Sequence, residues 1–131
     1  MDLLPVSFGL ITAAALFGSG LALLHLRPAG EACGKPVARM PPWPFGALHG
    51  ALGAGGFAAL LVTLQGPPRG VAYGVGSFGI FAAILLALAL LAGLFLLGAL
   101  WRGRRAGFLI AVHAGLAVTG FAILAAYTLL G

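Results

Sequence analysis

The sequence predicts an all-α fold, an integral membrane four-helix up-down bundle, and three observations predict it. The chain is 62% hydrophobic and only 7% charged, whereas charged residues make up roughly a quarter of an ordinary soluble domain. Its apolar residues gather into four stretches, 5–26, 43–65, 75–100 and 106–130, each with room for the roughly 20 residues of a spanning helix. The charges fall outside those stretches, all but Asp2 in the segments between them. Strands are disfavoured because an open sheet leaves backbone groups unpaired in lipid, and runs rich in Ala, Leu and Gly lack the alternation of barrel strands. Residues 1–131 are expected to form a single transmembrane domain.

The first stretch follows Asp2 instead of a basic cluster and lacks a clean cleavage pattern, so it reads as a retained helix and not a signal peptide. Between the first two stretches, loop 27–42 carries Arg27, Lys35 and Arg39 against Glu31; between the last two, loop 101–105 carries Arg102, Arg104 and Arg105. The positive-inside rule puts both loops in the cytoplasm, and both chain termini on the non-cytoplasmic side of a bacterial inner (plasma) membrane. The opposite side holds only Asp2 and Arg69 in its short segments. Topology therefore accounts for the net charge of +5, and no nucleic-acid partner is expected. Trp43 and Trp101 suit the cytoplasmic aromatic belt, Tyr73 and Tyr127 the other one. Cys33 is the only cysteine; it has no intrachain partner and reads as a free thiol in a reducing compartment.

The chain also reads as two parallel two-helix repeats, about 5–65 and 75–130. Ser7-Phe8-Gly9-Leu10 opens the first helix and Ser77-Phe78-Gly79-Ile80 the third, 70 residues later. His49-x-x-Leu52-x-x-x-Gly56-Phe57-Ala58-x-Leu60 recurs as His113-x-x-Leu116-x-x-x-Gly120-Phe121-Ala122-x-Leu124 at an offset of 64. Two helices per repeat return the chain to its starting side, so the repeats are related by an axis along the membrane normal. The second and fourth helices then run in the same direction and lie diagonally across the bundle.

That arrangement directs attention to His49 and His113. A polar ring within a membrane helix is costly and by default faces the bundle interior. Both sit about two turns from the cytoplasmic helix starts, at one depth of about 10 Å. Paired imidazoles across a two-fold axis suit an iron as axial ligands. Gly46, Gly53 and Gly56 stand on the face of His49, and Ala117 and Gly120 on that of His113. Such small residues let a flat ligand or a neighbouring helix approach closely.

With His49 and His113 flanked by small residues on parallel helices, the chain resembles the membrane-bound b-type cytochromes, an architectural likeness that covers all four helices. The resemblance implies one haem b, ligated by His49 and His113, with Gly53, Gly56 and Gly120 against it. Arg102, or another of Arg39, Arg104 and Arg105, would pair with the propionates. It implies single-electron transfer between the quinone pool and a redox partner, with membrane lipid and other membrane subunits as further partners.

His25 has Phe95 as its counterpart at offset 70, falls outside the pair, and reads as an interfacial side chain. Thr63 and Tyr127 each follow a paired His by 14 residues and suggest a polar cap or, more simply, a self-bonded Thr and a belt Tyr. With Asp2 and Glu31 as the only carboxylates, the chain has no acid/base pair, carboxylate ion pathway or hydrolytic triad. The alternative to a cytochrome is a non-catalytic accessory transmembrane subunit of a larger respiratory or photosynthetic complex.

Overall fold

The computed structural model describes residues 2–26, 43–102, 104 and 106–131, with the side chains of 24–26 and 43 left aside. Helices α1 (Leu4–Leu26), α2 (Trp43–Thr63), α3 (Phe78–Trp101) and α4 (Gly107–Leu130) make up the fold, and each is long and apolar enough to cross a membrane. None contains Asp, Glu, Lys or Arg. Large apolar side chains stand exposed on every one of them, such as Leu16, Val62, Phe95 and Leu129. An outer surface as apolar as the interior is what a lipid solvent permits and water does not.

Local chemistry sets the helix ends. At the start of α1, the Asp2 carboxylate accepts a hydrogen bond from the Leu4 N–H at 3.0 Å, and Pro5 lies in the first turn, where its missing N–H costs nothing. Pro44 takes the same role in α2. Beyond α2, Pro67 and Pro68 cannot continue a helix; a short 3-10 turn at Val71–Tyr73 then reverses the chain between Gly70 (φ 67°) and Gly74 (φ 72°). At Gly70 a side chain would also collide with Val75, so a left-handed conformation and close packing both demand glycine there.

The helices form two antiparallel hairpins, α1 with α2 and α3 with α4. Helix α1 also packs on α4, and α2 on α3, so each helix has two neighbours and α2 and α4 face each other along a diagonal. Contacts between the hairpins are much sparser than those within them. Buried Leu4, Ile11, Leu60, Ala82, Leu86, Leu124 and Tyr127 form the core, and Phe8 stacks on Phe121 between the hairpins with ring centroids 5.5 Å apart.

This core fills only one half of the bundle. From Ala14, Gly56, Ala89 and Gly120 toward the 27–42 end, Ala106 is the one buried residue among those whose burial is described. The interior positions there, including Gly18, Gly53, Gly93 and Ala117, are only half-buried. The packed half sets Leu, Ile and Tyr against one another and against Ala82 and Ala83, whereas the positions around the histidines include Gly18, Gly53, Gly93 and Ala117.

Two sequence expectations need correction. Ser77 is the residue that precedes α3, whereas Ser7 lies within α1, so the two Ser-Phe-Gly segments do not occupy equivalent places. Tyr127 is 3% exposed and does not belong to an outer aromatic belt. A Cβ on Gly79 would stand 2.9 Å from its ring, and that missing side chain admits the ring into the core. Tyr73 is largely exposed, as a belt residue would be.

Candidate functional site

The hydroxyls inside the helices show how few polar groups this bundle uses between its helices. Thr12, Ser19, Thr63, Thr119 and Thr128 each donate to the carbonyl four residues back in their own helix, a self-satisfaction open to hydroxyls in any helix. Among the described residues, three side chains in the helices reach across to another: Ser7, His49 and His113. Ser7 Oγ donates to the Gly56 carbonyl at 2.8 Å and ties α1 to α2 in the packed half.

The two histidines lie just beyond that half, each six residues after the first residue of its helix, Trp43 or Gly107, which is about 9 Å along the axis. The diagonal brings them together: their ring centroids are 5.8 Å apart, and their planes cross at 81°. His49 Nδ1 is 2.8 Å from the Ala14 carbonyl oxygen on α1, and His113 Nδ1 is 2.8 Å from that of Ala89 on α3. A carbonyl oxygen only accepts, so each Nδ1 carries the hydrogen. In the neutral ring, Nε2 is then the nitrogen with the free lone pair. Histidine metal ligands are commonly held by such a bond on the other ring nitrogen.

A metal that would be held by one nitrogen of each ring, through bonds of about 2.0 Å, needs ring centres no more than roughly 6 Å apart. The observed separation fits. The donor set fits as well, with two ring nitrogens, no competing carboxylate among the described residues, and small residues around them.

The glycines divide by depth. Gly56 and Gly120 lie in the packed half, where a Cβ would stand 2.8 Å from the Ile11 side chain and 3.1 Å from that of Leu86; their smallness is taken up by helix packing. Gly53 is in ordinary contact range of Leu90 and Ala14. The glycines that meet the imidazoles are two that sequence reasoning missed. A Cβ on Gly18 would stand 2.7 Å from His49 Cε1, and one on Gly93 3.1 Å from His113 Cε1.

A signal for them existed in the sequence. Ile11, Ala14 and Gly18 of α1 make the contacts that Leu86, Ala89 and Gly93 of α3 make, each pair 75 residues apart, while their partners on α2 and α4 remain 64 apart. The shared pattern is Ala-x-x-x-Gly, hidden by the Ser-Phe-Gly match at 70.

Arg102 stands exposed at the C-terminal cap of α3, and Arg104 is exposed beyond it, at the end of the bundle nearer the histidines. Arg39, Arg105, Cys33 and the rest of loop 27–42, with the side chain of His25, lie outside the described residues. At the opposite end, Arg69 pairs with Asp2 at 3.1 Å. The Asp2 carboxyl is held below its ordinary pKa chiefly by the Leu4 N–H; desolvation, next in size, opposes this, and the hydrogen bond and charge of Arg69 add to the lowering. Comparison with protein-family models, with curated proteins and with solved structures finds no match to this chain.

Proposed function

We propose that this chain is a small membrane cytochrome b subunit that holds one haem b between His49 and His113 and passes single electrons between the quinone pool and a redox partner. The observation that carries the reading is the pair itself: two imidazoles 5.8 Å apart, each anchored through Nδ1, with no hydrogen-bond partner for either Nε2 among the described residues. The haem would supply a reversible one-electron couple, tuned by its ligands and by burial. His49 and His113 would ligate it, the Ala14 and Ala89 carbonyls would keep the rings oriented, and the apolar walls would exclude water. Arg102, exposed with Arg104 at the nearer surface, would pair with a propionate.

In this reading the helices insert in a bacterial inner membrane with both termini outside the cytoplasm. The count of cations supports that orientation, with Arg102 and Arg104 exposed at one end of the bundle against Arg69 alone at the terminal end. The matching contacts in the two hairpins support descent from a duplicated hairpin. One haem near one surface does not span the bilayer, so a partner must take up the electron.

An absorption spectrum of the purified protein, oxidised and reduced, tests the proposal. A sharp Soret band and an α band are expected, and both should be lost in His49→Ala and in His113→Ala. Unchanged haem content in both variants would overturn it. A second reading, a non-catalytic accessory subunit, draws on the outer faces of α2 and α4: Gly46, Gly50, Gly107 and Gly115 have open space where a Cβ would stand, which suits close approach of another helix. Colourless protein that co-purifies with a larger complex would favour that role.

A further inference from the structure

A carbonyl inside an α-helix already accepts the N–H four residues on, and the side chain of that later residue leans back over the same turn and covers it. Ala14 and Ala89 escape this cover because the residues four positions on are Gly18 and Gly93. Each carbonyl can then take a second donor from a neighbouring helix, and in both hairpins that donor is a histidine Nδ1–H at 2.8 Å. The ring lies where the missing side chain would have been: 2.7 and 3.1 Å from a Cβ on Gly18, measured to His49 Cε1 and Nδ1, and 3.1 and 3.2 Å from one on Gly93, measured to the same atoms of His113.

We propose that Gly18 and Gly93 are positioning residues of the histidine pair. Each opens the carbonyl one turn before it to an imidazole, fixes the Nδ1–H tautomer and thereby turns Nε2 into the bundle. Each hairpin thus orients its own ring, α1 for His49 and α3 for His113. The two anchors hold the rings in the T-shaped pair in which their planes cross at 81°. The nature of the bound group rests on the haem reading; the ring orientation does not.

Gly18→Ala places a methyl closer to its ring than Gly93→Ala does, so it should displace its histidine more. Gly20→Ala and Gly98→Ala, where a Cβ meets open space, are the controls. Nitrogen-15 NMR of histidine-labelled protein without haem should show both rings as the Nδ1–H tautomer. Gly18→Ala should move His49 alone toward the other tautomer, and Gly93→Ala His113 alone by a smaller amount. The controls should move neither.

In haem-loaded protein the ferric EPR spectrum reads the same geometry, since crossed imidazole planes give a low-field signal and parallel planes a rhombic one. The wild-type signal should be of the crossed kind and should change in Gly18→Ala. Wild-type tautomers at both rings in Gly18→Ala and Gly93→Ala would overturn the proposal even if haem binds. Wild-type protein that takes up no haem would overturn the cytochrome reading alone, with the NMR result still deciding the role of the glycines. Should Gly18→Ala fail to fold, Gly93→Ala, with its milder 3.1 Å approach, decides the same question.

Discussion

The two halves of this bundle are built from the same helices and differ in what fills them. On the side of the chain termini, Leu4, Ile11, Leu60, Leu86, Leu124 and Tyr127 interlock from one end of the half to its middle. On the other side, Gly18, Gly53, Gly93 and Ala117 leave the interior half-buried around His49 and His113. Where the surroundings are as apolar as the core, helix association depends on packing and on hydrogen bonds between helices more than on transfer out of water. The packed half therefore holds the bundle together. The other half is less buried, and it contains the two histidines that reach across between helices.

Ligand loading tests this division most strongly. If haem occupies the less buried half, haem at 100 times its dissociation constant should stabilise the protein by about 2.7 kcal/mol. The gain in hydrogen-exchange protection should be concentrated in residues 15–23, 44–55, 90–101 and 107–119. Protection gained equally in both halves would erase the contrast.

Next comes core truncation. Leu60→Ala or Leu124→Ala, both fully buried, should cost about 2 kcal/mol in detergent unfolding through lost packing around the cavity. Leu94→Ala, 65% exposed in the other half, should stay within about 0.5 kcal/mol. A large loss from Leu94→Ala would mean that the less buried half also carries stability.

A smaller effect is expected from Ser7→Ala, which removes the hydrogen bond to the Gly56 carbonyl in the packed half. Such bonds average about 0.6 kcal/mol in membrane helices, and the same unfolding assay reads the change.

The smallest lies at the outer edge of the packed half, where Asp2 caps α1 and pairs with Arg69. Its carboxyl pKa is lowered in the folded protein, so this stabilisation is complete above the unfolded carboxylate pKa and is lost as pH falls through the folded one. An acid titration should show a small loss of stability that Asp2→Asn abolishes. A loss on raising the pH would contradict the assignment.

Much of this was legible in the residues. The four helices followed from stretches without Asp, Glu, Lys or Arg, and the diagonal meeting of His49 and His113 followed from helix order and the 64-residue match. The first helices were misread because Ser-Phe-Gly is a local string, whereas the equivalence that packing respects is Ala-x-x-x-Gly, recognisable only from what faces it. Tyr127 was misplaced for a related reason: whether a tyrosine near a helix end turns outward or inward depends on the room left by Gly79 on another helix.

The sequence by itself determined that the four helices of the described residues are apolar on all sides and that two histidines share a depth, because hydropathy and periodicity are properties of a single chain segment. The tertiary structure decided which glycines touch the imidazoles, which ring nitrogen bonds to a neighbouring helix, and that burial is concentrated in one half of the described residues. Those features depend on distances between helices, and such distances are set by the side chains of both partners at each level of the bundle.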